Sequence, residues 1–392
     1  MSCILDWTNA VNLLTWKSCG PEFLYKRSAN TLLTRCTRFS PPRARSRTER
    51  ALASQKGNHM KLGINSLFLL GFDFEDGLRL SQQLGAQAIE IATLGEPSRR
   101  YCDPDNLLAD RGELARWLDT IQEHGLEISA LTAHGEALSP NREVAEGYLS
   151  QFHNICRLAE ASGVDCLTLN SGTPEGAPGE TTPSWIVDIG NAKNRSVLRW
   201  QWEQRVIPVW TRLAAIASDH GCRLAIEPWI GNVVHSPLSL MRLREAVGAV
   251  IGCNLDPSHL FVQQVDVLET IRYLGDALLH VHMKDTRIDE RNLRIRGLLD
   301  TTTPMTSPQD RAWTFGLVGW GHDDKFWRDF ITNLRFVGYS GALSVEMEVD
   351  YMDVTDGLKK TFDFLRPLVM EAPPVAKANW YEQAGLHGFA RD

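Results

Sequence analysis

Arg223-Leu-Ala-Ile-Glu227-Pro-Trp229, then Pro237-Leu-Ser-Leu-Met-Arg-Leu-Arg-Glu-Ala-Val247, then Ile251-Gly-Cys-Asn-Leu-Asp256-Pro-Ser-His259: on this stretch the fold turns. A short apolar run is followed by an amphipathic segment and a second apolar run. Each run ends in a carboxylate and a proline. Such a unit reads as strand, helix, strand, and two strands joined through a helix run parallel.

The same unit repeats outward in both directions. The strand candidates are Leu62–Asn65, Ala88–Ala92, Ile128–His134, Cys166–Ser171, Arg223–Trp229, Ile251–Asp256, Leu278–Met283 and Leu343–Met347. Helical segments are predicted near 74–84, 107–125, 143–162, 197–220, 237–247, 266–274, 324–337 and 354–369, with apolar positions three and four apart, as in Leu114, Trp117, Leu118 and Ile121. Gly85, Gly125, Gly163, Gly221 and Gly338 follow helices and suit a left-handed closing turn. Eight strand–helix units predict an α/β fold, a (β/α)8 TIM barrel. A doubly wound sheet usually carries a Gly-rich phosphate turn, and neither GxGxxG nor GxxxxGK[ST] occurs. Two insertions leave the C-terminal ends of strands: 172–196 after strand four, and the long 286–322 after strand seven.

The chain has 392 residues, 43% hydrophobic and 23% charged, with a net charge of −7. Residues 1–59 hold ten Lys/Arg against three Asp/Glu, which leaves 31 basic and 45 acidic residues from Met60 onward, a net of −14. The extension reads as an organelle transit peptide or as the product of a start codon placed too far upstream. The second fits better, because Ile4, Leu5, Trp7, Val11, Leu13, Leu14 and Trp16 make no clear Arg-bearing amphipathic helix. The expected organisation is a disordered or mis-assigned 1–59, a catalytic barrel over 60–370 and an extended tail over 371–392. The acidic balance argues against nucleic acid as a partner. With no stretch of about 18 apolar residues, no membrane span is expected. The eight scattered cysteines, without a CxxC pair, read as reduced thiols of a cytoplasmic protein.

Polar residues cluster where the last four strands end: Glu227; Asp256 and His259; His280, His282 and Lys284; Glu346. A lone Glu at a strand end is usually a salt-bridge partner or cap, Asp256-Pro can open a turn, and one of the two histidines can be a core residue. Four adjacent strands each bringing a carboxylate or imidazole to one rim is a different matter. Packed carboxylates repel one another, and a divalent cation reverses that. Three carboxylates and one imidazole favour Mn²⁺ or Mg²⁺, with Co²⁺ or Zn²⁺ as alternatives.

The combination Ile-Glu227-Pro, Asp256-Pro-Ser-His259, His280-Val-His282-Met-Lys-Asp and Ser-Val-Glu346 resembles the xylose isomerase-like barrel superfamily, and within it the sugar phosphate isomerase/epimerase group. The resemblance covers about 60–370. It implies Glu227, Asp256, His282 and Glu346 as ligands of one divalent metal, Mn²⁺ foremost, with Glu227 and Glu346 also the proton-transfer pair. It implies His134 and His259 on the substrate side, with Trp229 and Lys284 beside them and Glu90 a weaker candidate. The 63 residues between His282 and Glu346 exceed what a simple epimerase needs. They resemble a branch whose members act on 3-keto-glycosides, and they leave room for a larger substrate or a partner subunit.

The expected activity is a sugar isomerase or epimerase that abstracts a proton beside a carbonyl through a metal-stabilised enediolate. The alternative is a lyase, deglycosidase or dehydratase using the same site. An endonuclease IV-like nuclease fits less well, since Arg287-Ile-Asp289 stands where its Asp-x-His pair would be. A non-catalytic binding protein would not need all four ligands. The expected partner is a small sugar or keto-glycoside, and a homo-oligomer is the family habit.

Overall fold

The computed structural model describes residues 59–304 and 306–370. The expected extension, apart from His59, and the expected 371–392 tail lie outside the described residues.

Eight parallel strands close into a barrel: β1 (Lys61–Asn65), β2 (Ala88–Ala92), β3 (Glu127–Thr132), β4 (Cys166–Asn170), β5 (Arg223–Glu227), β6 (Ile251–Leu255), β7 (Leu278–Met283) and, beyond a two-stranded insertion, β10 (Ala342–Val345). Around the barrel the order is β1-β10-β7-β6-β5-β4-β3-β2. The insertion pairs β8 (Asp285–Ile288) with β9 (Trp313–Gly316) as an antiparallel hairpin. It leaves the β10–β7 register intact, with Leu343 opposite Val281 and Val345 opposite Met283.

Several strands stop one or two residues short of the sequence expectation. β5 ends at Glu227 and β6 at Leu255, because Pro228 and Pro257 have no N–H to donate to a ladder. Trp229, Asp256, His134 and Glu346 therefore stand on the loops that leave the barrel mouth. The helix expected over 107–125 is two, Pro104–Ala109 and Arg111–Glu123. Asp110 makes the break: its Oδ1 accepts from the N–H groups of Gly112 (2.7 Å) and Glu113 (3.3 Å) and so starts a new helix. The 197–220 segment runs as Ala192–Trp200, a wide π turn over Gln201–Val206, and Ile207–Asp219. The wide turn lies just before Pro208, which cannot donate into the helix. Gly85, Gly125, Gly163, Gly221 and Gly338 all take the left-handed conformation expected of them, with φ between 70° and 82°.

Two cores result. Between barrel and helices lies a continuous apolar layer that includes Trp202, Trp210, Phe152, Phe330 and Phe362, all fully buried. Inside the barrel the floor is made of small residues, Ala130, Cys166 and Ala225, against which Leu279 packs. Gly252 belongs there by necessity: a Cβ on it would lie 2.4 Å from Leu279 Cγ and 2.5 Å from the Ala277 carbonyl oxygen. Period-two alternation then carries each strand from floor to mouth. Two residues past Ala88, Ala130, Cys166, Ala225, Gly252 and His280 come Glu90, Thr132, Thr168, Glu227, Asn254 and His282, all buried. Except at His280, the interior thus changes from small and apolar to polar within one layer.

Candidate metal centre

His282 is held between two sets of carboxylates. Its Nε2 lies 3.0 Å from Glu90 Oε2. Its Nδ1 faces the mouth, 3.2 Å from Glu346 Oε1 and 3.5 Å from Glu227 Oε2. Glu90 is wholly buried and saturated with donors. Thr132 and Thr168 hydroxyls donate to Oε1 at 2.7 and 2.6 Å, and the Ser344 hydroxyl donates to Oε2 at 2.7 Å. His280 Nε2 also reaches Oε2, at 3.0 Å. A carboxylate so placed favours a proton on Nε2, so that loss of the Nδ1 proton to an incoming cation would leave the Nδ1 lone pair facing the mouth.

The mouth side holds three carboxylates. Asp256 caps the short helix Pro257–Val262 through Oδ1, which accepts from Ser258 N–H at 2.8 Å, and so turns Oδ2 into the cluster. Asn65, at the end of β1, donates to Glu346 Oε1 at 3.0 Å. Glu227 Oε1 lies 3.1 Å from His259 Nε2, and its Oε2 lies 3.6 Å from His134 Nε2. Trp229 stacks on the His259 ring at 5.1 Å and meets His134 edge-on at 6.1 Å. Lys284 lies among these groups, with Nζ 2.9 Å from Asp256 Oδ2, 2.8 Å from Glu346 Oε2 and 3.1 Å from Glu348 Oε2.

Burial alone would neutralise these groups, but mutual charge prevents it. For Glu227, desolvation raises the carboxyl pKa; a hydrogen bond from His259 and the charges of His282, His134 and His259 outweigh it and hold it below the ordinary range. Glu90 is likewise held well below that range against its burial, by His282 and His280. Desolvation lowers His282, yet the charges of Glu346, Glu90 and Glu227 and the hydrogen bond to Glu90 push it up to about 10. Lys284 is raised in the same way, against its burial, by Asp256, Glu346 and Glu348. His134 is lowered, chiefly by burial.

Ligand atoms of Glu227, Asp256 and His282 lie within 4.8 Å of one another, all three buried. Glu346 joins them through its contact with His282. A second buried trio, Glu90, His280 and His282, is equally compact, but the three hydroxyls on Glu90 occupy the carboxylate, and the trio serves His282 instead of an ion. Asn254 Oδ1, His259 Nδ1 and His134 Nδ1 are buried beside the cluster with no hydrogen-bond partner among the described residues. An oxygen-rich donor set with one imidazole, an excess of buried negative charge and unpartnered polar atoms at its margin fit a divalent cation.

The eight residues singled out in the sequence, Glu227, Asp256, His282, Glu346, His134, His259, Trp229 and Lys284, therefore meet in one cluster. Lys284 is buried among carboxylates, where it balances their charge. Asn65, Asn254 and Glu348 were missed as site residues. Asn65 and Asn254 had a visible signal, an amide at the end of one apolar strand run and inside another. The role of Glu90 was not legible, since its partners come from four other strands.

Among the described residues no helix is long and apolar enough to cross a membrane. Residues 78–368 match the family described as xylose isomerase-like TIM barrel. The chain is similar to the uncharacterized protein YfiH of Bacillus subtilis (strain 168), 32% identical over 315 residues, which span 80% of this chain and 100% of that protein. It is similar in fold to the IOLI protein solved with a bound zinc atom (TM-score 0.56, 17% identity, 79% of this chain and 98% of that one). It also resembles the 3-keto-D-glucoside 4-epimerase YcjR of E. coli (TM-score 0.53, 17% identity, 79% and 99%).

Proposed function

Because this chain belongs to the xylose isomerase-like TIM barrel family, we propose that it is a divalent-metal-dependent sugar isomerase or epimerase that moves a proton at the carbon beside a carbonyl. One observation carries the reading: the buried convergence of Glu227, Asp256 and His282 donor atoms within 4.8 Å, with Glu346 Oε1 3.2 Å from the same imidazole. These four residues would hold the cation. Mn²⁺ suits three carboxylates and one imidazole, with Mg²⁺ and Co²⁺ as alternatives. When bound, the cation supplies a Lewis acid that polarises the sugar carbonyl.

The chain's own groups supply the rest. Glu227 is held ionised and takes the proton from carbon as general base. Glu346, from the other side of the barrel mouth, returns one. Asn65 and Lys284 each bind one of its oxygens and fix the direction of the carboxylate. Return to the opposite face of the same carbon inverts it; return to the neighbouring carbon exchanges carbonyl and hydroxyl. His134 and His259 lie against Glu227 and orient sugar hydroxyls. Trp229, stacked on His259, shields that side from water.

The test is metal content by plasma mass spectrometry, combined with deuterium uptake into ketoses in heavy water. About one Mn²⁺, Mg²⁺ or Co²⁺ per chain, lost in Asp256→Ala, supports the reading. Glu346→Gln should fold and keep little turnover. Full activity of that variant at wild-type metal content would remove Glu346 from the mechanism. Absence of metal even after reconstitution with Mn²⁺ would overturn the whole assignment.

A further inference from the structure

The carboxylate cluster does not end at the four candidate ligands. Beyond it a cavity of about 420 Å³ opens between the insertion hairpin and the segment after β10, lined by Arg311, Thr314, Phe315, Glu348, Asp350 and Tyr351 among others. None of Glu227, Asp256, His282 or Glu346 lines it. It nevertheless adjoins them at two points. Glu348 reaches Lys284 Nζ at 3.1 Å. Phe315 covers the same Nζ at 4.7 Å and meets His259 edge-on at 5.4 Å. At about 30 Å³ per water the volume equals roughly 14 water molecules. That is ample for a group attached to a sugar held at the cluster.

The lining says what kind of group. Phe315 and Tyr351 offer aromatic faces, and Tyr351 stacks at 6.2 Å on Trp320, which is half exposed. The C–H faces of a pyranose pack on such rings, while its hydroxyls donate to carboxylates and accept from a threonine hydroxyl. Glu348, paired with Lys284 Nζ, and Asp350 put two carboxylates on the wall. Among the described lining residues the cation is Arg311, which lies over the Trp313 ring at 4.3 Å and feels the charges of Asp350 and Asp300. A phosphoryl group would have to compete with these carboxylates for Lys284 and Arg311; an uncharged polyol ring would not.

We propose that this cavity is a subsite for a second, uncharged sugar ring joined to the ring that reacts, so that the natural substrate is a keto-sugar bearing a glycosyl group, neither a free ketose nor a ketose phosphate. The inference rests on the cluster being a sugar site.

The test compares D-fructose, D-fructose 6-phosphate and the keto-disaccharides lactulose, turanose and palatinose on the full chain loaded with Mn²⁺. Affinity is read by calorimetry and proton exchange by deuterium uptake. At least one disaccharide should bind tenfold or more tightly than fructose, and Tyr351→Ala and Thr314→Val should each bring that ratio towards one. Ratios of one or below for all three disaccharides, or tighter binding of the phosphate ester than of fructose, would overturn the subsite. So would a tenfold preference that survives both substitutions. Tight disaccharide binding without deuterium uptake would keep the subsite and remove the proposed reaction. Equal binding with deuterium uptake into fructose would do the reverse.

Discussion

Replacing Glu90 by glutamine is expected to damage metal binding more than folding, although Glu90 is wholly buried and touches no candidate substrate. Its two oxygens accept from five side chains, Thr132, Thr168, Ser344, His280 and His282. Glutamine keeps one oxygen, which can still serve the two threonines, and turns an NH₂ towards Ser344 and the imidazoles. If the imidazoles kept their protons on Nε2, donor would face donor. Losing two charge-assisted hydrogen bonds at about 1.5–3 kcal/mol each would then cost about 3–6 kcal/mol. The cheaper response is a tautomer switch: His282 accepts at Nε2 and carries its proton on Nδ1. That proton occupies the lone pair facing Glu227 and Glu346, the one a cation needs. Loss of such a carboxylate–histidine support typically costs about 10–100-fold in metal affinity. Mn²⁺ titration of Glu90→Gln, read by electron paramagnetic resonance, should show a loss in that range while urea unfolding shows a cooperative, folded protein. Thr168→Val is the control. It removes one donor to Glu90 without altering the imidazole, and should cost about 1 kcal/mol of stability and little Mn²⁺ affinity. A folded Glu90→Gln protein that binds Mn²⁺ within twofold of wild type would refute the reasoning.

Other outcomes follow from the same contacts. In metal-free protein the raised His282 pKa links stability to pH: its folded value of about 10 exceeds the ordinary 6.5, so its contribution is complete below about 6.5 and is lost as pH rises to about 10. The urea midpoint of chelator-treated protein should therefore fall across that interval, and a flat profile would show that His282 is not held protonated. Gly252→Val should overpack the barrel floor against Leu279 and the Ala277 carbonyl, at a cost of about 1–3 kcal/mol or more, measurable by urea unfolding. Asp285 accepts from the backbone N–H groups of Gly319, Gly321 and His322 and from the His322 ring at 2.7 Å. Asp285→Ala should therefore open the 317–322 turn, and limited proteolysis should cut there first; an unchanged cleavage pattern would count against this role.

The barrel was legible because its signal is local and repeated. Ala88–Ala92 and Leu278–Met283 read as strands from apolar residues flanking Glu90 and alternating with His280 and His282, and the five closing glycines from their positions. The ligand candidates were legible for the opposite reason: each breaks such a run where a charged group is costly to bury. What escaped depends on contacts across the barrel or on local competition. Asp110 splits a helix because its side chain caps the next one, a choice that apolar spacing does not register. Lys284 read as a substrate-side residue; the contacts of its Nζ with Asp256, Glu346 and Glu348, which follow other strands, carried no signal of their own. Phe315 and Tyr351 carried no signal, because their meaning comes from the cavity between them.

The hydrogen bonds on Glu90 also bear on how the chain folds. Their donors are contributed at positions 132, 168, 280, 282 and 344, so the last arrives 254 residues after the carboxylate it serves. Closure itself pairs β1 with β10, Lys61 opposite Ala342. Until β10 joins, β1 and β7 present open edges and Glu90 lacks the Ser344 hydroxyl. Contacts so distant in sequence slow folding, and open strand edges invite association between chains. A ribosome-bound chain that stops short of residue 342 would therefore be a sticky, incompletely neutralised intermediate, and the final strand turns the barrel from a set of repeats into one cooperative unit.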